Sequence, residues 1–492
     1  MIKLRRFYCI STYKNIMIQP KTFKKLSVRN PRTGEIDYHF NTLSLSASVQ
    51  RVRSLRQHQV DWQECLLIHR IEALRQWQQA LEKQQKDIIN ALAIDTGRRS
   101  LSTVEFGALI DSISKWCDLA PELLETKDQK SISMPEVEIL CNYKPFPLLG
   151  AISPWNFPLL LSFIDVIPAL LAGSAAFVKP SEITPRFAEP IAETIENVPD
   201  LSMVLAIKPG GSTLGQELVR QVDIIAFTGS VPTGKKVAQA AAKQFIPAFL
   251  ELGGKDPAIV LQGSDLDRAT TAILRASIAA TGQACQSIER IYVSEIDYVA
   301  FLQILKKKAE EAAETLGDPN RDIIGPLIFK NQAKVIDDHI ADAISKGAVI
   351  ECGGIIENRQ GGLWIAPTVL SKVNHRMKVM TEETFGPLMP VMSYKTEEEA
   401  IAMANDTTYG LSAAVFGPSE ASAIAVAGRI NAGGITVNDA GLTAFLSETE
   451  KMGFGYSGMG PSRVGRSGMT RFLQTRSTFI NRGGVMPISV LG

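Results

Sequence analysis

Little in the 492-residue chain points to metal or disulfide chemistry. Its six cysteines (9, 65, 117, 141, 285 and 352) form no C-x-x-C pair, and its five histidines show no H-E-x-x-H spacing. Neither a zinc site nor a disulfide framework is therefore expected, and no bound metal. Thiols outside such a framework suit a reducing compartment. Charge of one sign is also missing: the formal net charge is +1, so there is no electrostatic surplus to draw nucleic acid or an anionic membrane surface. The nearest approach to a long apolar run is 157–178, but Asp165, Pro168 and Gly173 interrupt it. It reads as a buried helix to about Leu171 followed by a buried strand, not as a membrane span. There is no internal repeat and no low-complexity linker. Acids are absent from residues 1–34, which carry nine Lys or Arg. That stretch reads as a disordered basic extension over 1–26, or as residues ahead of a true start at Met17. The alternative is an organellar presequence. The expected location is cytoplasmic, or mitochondrial if the presequence reading holds.

What is present suits two or three domains, since a chain this long exceeds one core. Residues 46–126 carry apolar side chains at three-to-four spacing among charges, the pattern of amphipathic helices. Residues 130–152 turn to β-branched residues with Pro135, Pro145 and Pro147 limiting any ladder, which predicts short strands. Apolar strands then alternate with helices at 149–153, 175–178, 203–207, 224–228 and 247–250. A second series follows at 258–260, 290–293, 390–392, 413–416 and 434–437. Such a rhythm predicts α/β architecture with doubly wound parallel sheets and a ligand crevice at the carboxyl ends of the strands.

Two residues are candidates for chemistry. Cys285 lies in the small-residue turn Ala279-Ala280-Thr281-Gly282-Gln283-Ala284-Cys285, ahead of the apolar run at 291–293. Glu251, 34 residues earlier, sits between Leu250 and Leu252 and beside Gly253-Gly254, where partial desolvation would raise its pKa and suit it to act as a general base. Taken alone, a cysteine is most often a small buried apolar residue and a glutamate most often solvated surface. Among the glycine patterns, Gly453-Phe454-Gly455-Tyr456-Ser457-Gly458 follows no clear strand and reads as a tight loop. The stretch Gly229-Ser230-Val231-Pro232-Thr233-Gly234-Lys235-Lys236 is one residue short of a P-loop, because Lys236 stands where a magnesium-binding Ser or Thr would be needed. Its glycine turn after a strand could still bring backbone amides to a pyrophosphate.

Four further motifs change the weight of the two candidates: Pro154-Trp155-Asn156-Phe157-Pro158, Val178-Lys179-Pro180-Ser181-Glu182, Phe227-Thr228-Gly229-Ser230 and Glu383-Thr384-Phe385-Gly386-Pro387. In this order and at these separations, from about Asn30 to Gly465, the chain resembles the NAD(P)-dependent aldehyde dehydrogenase superfamily. The resemblance implies two doubly wound α/β domains, cofactor-binding and catalytic, plus a small β oligomerisation arm. The cofactor-binding domain would take 27–129 and 147–250, the catalytic domain 251–450 with a C-terminal loop to 472, and the arm 130–146 and 473–490. It also implies a homodimer or homotetramer.

In that resemblance the Cys285 thiolate attacks an aldehyde carbonyl, the Asn156 amide and the Cys285 N–H hold the oxyanion, and Glu251 activates the water that hydrolyses the thioester. Trp155, Gly229 and Ser230 would meet the cofactor phosphates, Lys179 and Glu182 a ribose, Glu383 the nicotinamide ribose, and Phe385 would pack near that ring. A carboxylate at 182 repels a 2′-phosphate, which favours NAD, with NADP as the alternative. The competing reading is a non-catalytic binding or structural relative, which would typically have lost Cys285, Asn156 or Glu251. Pocket positions implied by the resemblance are Phe157, Leu161, Ile164, Ala284, Gln286, Phe445 and Lys451. Lys451 stands where relatives usually carry an aromatic, and is either surface or a contact for an anionic substrate.

One departure is charged. Asp165 stands where many relatives have lysine, and Arg463 or Ser462 falls where they have glutamate. A buried Asp165 needs a cation, so a pair with Arg463 is expected, with Ser462 as the alternative occupant of that place. If the pair stands alone, reversing both charges should restore much of what removing Asp165 costs.

Overall fold

The computed structural model describes residues 24–317 and 324–491. The basic extension expected over 1–26 falls almost wholly outside them, and at Lys25 an ordered strand, Lys25–Arg29, already pairs antiparallel with Ile36–Asn41.

The first large sheet has five parallel strands in the spatial order Ala248–Glu251, Ile224–Thr228, Leu148–Ile152, Ala175–Lys179, Leu205–Ile207, with the short Gly458–Met459 antiparallel at its edge. Every residue of Ala175–Lys179 and Ile224–Thr228 is buried, so both segments read in sequence as apolar runs without alternation up to the polar residue, Lys179 or Thr228, that ends each. The chain enters this sheet in the middle, builds to one side, then returns to build the other. That reversal creates a crevice between Leu148–Ile152 and Ile224–Thr228.

Two local expectations are corrected. The strand expected over 203–207 begins only at Leu205, because Pro199 starts a helix, Pro199–Val204, that takes the two preceding residues. The single helix expected over 157–171 is two pieces, Leu160–Phe163 and Val166–Ala172, and Gly173 at φ 104° ends the second. Amphipathic helices Leu45–Glu64, Leu67–Lys83, Gln85–Thr96 and Arg99–Leu123 cover the sheet, and Leu55, Trp77, Leu92 and Ile113 enter its core.

The second sheet repeats the plan with seven strands, in the order Val349–Cys352, Thr368–Ser371, Leu388–Tyr394, Ile288–Ser294, Asp256–Val260, Ser412–Phe416, Gly434–Val437. Only the first pair is antiparallel. Its two faces carry separate cores, one around Ile336, Met380 and Val415 and the other around Ile273, Phe301 and Val391. The architecture is thus the expected α/β with two parallel-dominated sheets. Met469 and Phe472, near the end of the loop expected with the second half, pack into the core of the first sheet.

A third sheet stands apart. Leu473–Asn481 runs antiparallel along the whole of Val137–Pro145, with Gln129–Lys130 on the far side. Most of Leu473–Asn481 is exposed, including Phe479, and so are Ile132, Val485 and Ile488.

Candidate active site

The two sheets meet the site in opposite senses. In the first, the carboxyl ends of adjacent strands deliver Ser153 to Asn156, Lys179 to Glu182, Gly229-Ser230 and, as the last strand residue, Glu251. In the second, three neighbouring strands are entered from the site, so their amino ends carry Gly253 to Lys255 before Asp256–Val260, Cys285 before Ile288–Ser294, and Glu383 to Pro387 before Leu388–Tyr394. Residues far apart in sequence converge because the carboxyl edge of one sheet serves the same site as the amino edge of the other.

The cysteine loop is held in unusual backbone. Ala280, Thr281 and Gly282 are successive left-handed residues at φ 56°, 61° and 67°. For β-branched Thr281 that conformation is costly and persists only where the surroundings fix it. They do so here: the Thr281 hydroxyl donates to the Gly325 carbonyl at 2.9 Å, and the Ala280 carbonyl accepts from Arg98 Nη1 at 3.2 Å and Gln283 Nε2 at 3.1 Å. Gly282 is required for a second reason, since a Cβ there would stand 2.3 Å from the Gly386 carbonyl carbon. The cysteine loop and the Phe385-Gly386-Pro387 loop therefore lie backbone against backbone. Likewise a Cβ on Gly254 would reach the Cys285 carbonyl oxygen at 2.5 Å.

Burial pushes the Cys285 thiol up to about 12, helped by the carboxylates of Glu383, Asp256 and Glu251 and opposed by Arg463. The thiol therefore rests protonated and needs a base to become a nucleophile. Burial likewise pushes Glu251 above the usual carboxylate range, against the pull of Arg463 and Arg471. Its side chain remains one-fifth exposed, enough to meet water. The Asn156 Nδ2 donates to the Gln283 carbonyl at 2.9 Å, two residues before Cys285, and the Asn156 carbonyl accepts from Arg98 Nη2. Arg98 thus ties the Asn156 turn to the cysteine loop, a role no sequence motif announced.

Beside them, Trp155 meets Phe385 edge-on, ring centroids 5.3 Å apart. Glu383 accepts from the Gly254 N–H at 3.1 Å, and burial with Glu289 nearby pushes it up to about 8. The loop bearing both is anchored by Glu289, which also escaped the sequence reading. Its carboxylate takes the Thr384 N–H at 2.8 Å, the Phe385 N–H at 2.7 Å and the buried Lys255 ammonium at 2.7 Å.

Further along the crevice, Lys179 is buried and Glu182 half open, 3.5 Å apart, and the ammonium also reaches the carbonyls of Pro180 and Gly210. The helix Val231–Gln244 begins at Ser230, whose hydroxyl bonds Thr233 at 3.2 Å and caps none of the first-turn amides. A helix start with uncapped amides, next to a lysine and an open carboxylate, fits the phosphates and ribose of a dinucleotide.

The expected Asp165–Arg463 contact is present, Oδ2 to Nη2 at 2.7 Å, but Arg471 joins it on the other carboxylate oxygen. Ser462 bonds the Lys451 N–H and the Val464 carbonyl instead. Lys451 is half-buried. Its ammonium binds the Thr443 and Leu446 carbonyls, and the Thr443 hydroxyl in turn donates to Gln286 at 2.7 Å. The lysine therefore braces a loop over the residue next to Cys285.

Residues 17–478 match the Aldehyde dehydrogenase family. The chain belongs to that family. It is 50% identical to the solved "Putative Aldehyde Dehydrogenase PutA" of Anabaena variabilis, with a TM-score of 0.92 over 94% of this chain and 99% of that one. A Mycobacterium ulcerans protein named as a putative NADP(+)-dependent succinate-semialdehyde dehydrogenase is 32% identical over 86% of this chain and 82% of its own. A betaine aldehyde dehydrogenase of Staphylococcus aureus, solved in complex with NAD+, is 26% identical with a TM-score of 0.87 over 94% of this chain and 95% of that one. As a member of the family, the chain is an oxidoreductase that uses NAD or NADP to oxidise an aldehyde to the acid. No helix among the described residues is long and apolar enough to cross a membrane.

Proposed function

We propose that Cys285 is the nucleophile, Glu251 the general base and Asn156 an oxyanion donor for an aldehyde with a largely apolar body. The observation that carries this reading is the convergence of Cys285, Glu251 and Asn156 beside Trp155, Glu383 and Phe385 from the two facing strand edges. Glu251 or a water it holds takes the thiol proton and passes it to solvent, and sulfur adds to the carbonyl to give a thiohemiacetal. The Asn156 amide and the Cys285 N–H stabilise the negative oxygen. NAD or NADP, held in the crevice, would supply the hydride acceptor for this oxidation. The thioester left on Cys285 is then hydrolysed by water that gives its proton to Glu251, releasing the acid and the free thiol.

Lys179, Glu182, Trp155, Gly229 and Ser230 would hold the ribose and phosphates, and Glu383 and Phe385 the nicotinamide end. The carboxylate of Glu182 favours NAD. An apolar substrate is supported by Phe157, Leu161 and Ile164, in the bend, short helix and turn that follow Asn156, and by exposed Phe445 and Leu446 on the braced loop. Lys451 spends its ammonium on carbonyls, which leaves it ill placed to receive an anion. We assign cofactor binding to the half built on the first sheet and the thiol to the half built on the second, with the division at about residue 251. The exposed edge Leu473–Asn481 and its apolar tail suit pairing with a second copy in a homodimer or homotetramer. Five free cysteines among the described residues suit a reducing, cytoplasmic setting.

The test is NADH formation by purified protein with hexanal, benzaldehyde and succinic semialdehyde, each with NAD and NADP. Higher kcat/KM for the neutral aldehydes and loss of turnover in Cys285→Ala are expected. Full activity in Cys285→Ala would refute the mechanism, and preference for the acidic aldehyde would refute the substrate class.

A further inference from the structure

The carboxylate of Glu251 faces three cations, Arg463, Arg471 and Lys451, and one acid, Asp165, while its own charge reaches the Cys285 thiol. Most of these groups are committed elsewhere. Lys451 serves the Thr443 and Leu446 carbonyls, and Arg471 serves Asp165 and the Pro461 carbonyl. Arg471 Nε is likewise buried without a hydrogen-bond partner, but of the two only the guanidinium of Arg463 comes within ion-pair distance of Glu251. Through Nη2 alone it binds Asp165 at 2.7 Å and the Thr228 hydroxyl at 2.8 Å. Its Nε–H is buried without a hydrogen-bond partner and stands 3.9 Å from Glu251 Oε1. A buried donor left unpaired forfeits its hydration without compensation, so something must normally satisfy it. One acid against two guanidiniums also leaves a positive charge over, and an ionised Glu251 neutralises it.

We propose that Arg463 is a positioning residue for Glu251, its guanidinium fixed by Asp165 and Thr228 so that charge and Nε–H hold the base ionised and offer it a docking point. Less than an ångström of movement by Glu251 would close the gap to about 3 Å, the length of a hydrogen bond. From there the carboxylate can turn toward the thioester while remaining charged. The inference rests on Glu251 being the base of the hydrolytic step. Burial and Asp165 push Glu251 toward the neutral form, whereas Arg463, Arg471 and Lys451 pull it back. A base works only when ionised, so removing Arg463 moves the acid limb of hydrolysis to higher pH.

The experiment follows hexanal oxidation with NAD by stopped flow and in the steady state from pH 5 to 9. In Arg463→Gln, with folding checked by circular dichroism, the first-turnover burst of NADH should persist. The acid limb of kcat should rise by about one pH unit, a shift typical of losing an opposite charge at this range. On the acid side of the limb, kcat relative to its high-pH plateau should then fall about tenfold further than in the native enzyme, the consequence of a one-unit shift. Arg463→Lys, which keeps the charge, should restore part of the shift. An intact burst with an unmoved limb would overturn the inference. If Arg463→Gln does not fold, the native enzyme still decides: a buried partner predicts a limb unmoved between 50 and 500 mM salt, and a limb that follows salt overturns it. Glu251→Gln run alongside separates the two levels. Lost turnover there with an unmoved limb in Arg463→Gln defeats this inference alone, whereas native turnover in Glu251→Gln defeats the assignment of the base as well.

Discussion

Replacing Asp165 by alanine tests the charged core of this protein most directly. The carboxylate is the shared partner of Arg463 and Arg471, and the side chains of all three are largely or fully buried, with Arg471 only 1% exposed. Burial alone would push Asp165 up, but the two guanidiniums more than reverse it and leave its carboxyl below the usual carboxylate range. Removing one partner of a buried pair typically costs about 3–5 kcal/mol, because the stranded charge cannot return to water. Two cations are stranded here, yet each keeps some company. Arg463 retains the Thr228 hydroxyl and nearby Glu251, and Arg471 retains the Pro461 carbonyl and the rings of Phe249 and Phe472, each 5.0 Å from its guanidinium carbon. The expectation is therefore about 3–4 kcal/mol, the lower part of that range.

Arg471 also changes the outcome of charge reversal. Asp165→Lys with Arg463→Glu would set a lysine against Arg471 and a second acid beside Glu251, so the recovery expected of an isolated pair should not occur. Urea unfolding by tryptophan fluorescence measures both variants against the native chain. The sign with pH follows from the lowered carboxyl: its stabilisation is present above the unfolded value of about 4 and is lost only as pH falls through the lower folded value. The deficit of Asp165→Ala should thus be constant from pH 5 to 8. A deficit below about 1 kcal/mol, or native stability in the double reversal, would refute the reasoning.

Two other outcomes follow from the same geometry. Burial is the main reason the Cys285 thiol lies near 12, and Glu383 is the foremost charge reinforcing it. Glu383→Gln should therefore speed alkylation of Cys285 by iodoacetamide at pH 9, where a carboxyl pushed up to about 8 is mostly ionised, by about threefold to tenfold, scaling with thiolate fraction, and an unchanged rate would remove Glu383 from that role. Lys255→Met should strand the buried Glu289 carboxylate at a cost of about 3–5 kcal/mol while raising the KM for NAD, because Glu289 also holds the Thr384 and Phe385 amides. Unfolding and KM both at native values would show the pair to be dispensable.

The alternation of strands and helices was legible in the residue order alone, because buried parallel strands such as Ala175–Lys179 are apolar on both faces along most of their length and therefore stand out from the charged helices between them. The sequence also drew attention to the proposed catalytic groups, Cys285 in a turn of small residues and Glu251 between leucines, and through the family resemblance to Asn156. It even offered Arg463 as a partner, with Ser462 as the alternative, since a buried acid demands a cation and the family resemblance set that loop opposite Asp165. Which cations gather there, and how many, depended on long-range folding. Arg471 lies 306 positions from Asp165, in a stretch with no motif, and reaches it because the chain after Gly458–Met459 folds back onto the first sheet. Arg98 and Glu289 were hidden for the same reason. Each works by donating to or accepting from backbone of a distant loop, and a backbone carbonyl or amide leaves no mark in the sequence that binds it. The left-handed run at Ala280, Thr281 and Gly282 was equally silent, since alanine and threonine do not announce that conformation; contacts from Gly325, Arg98 and Gly386 impose it.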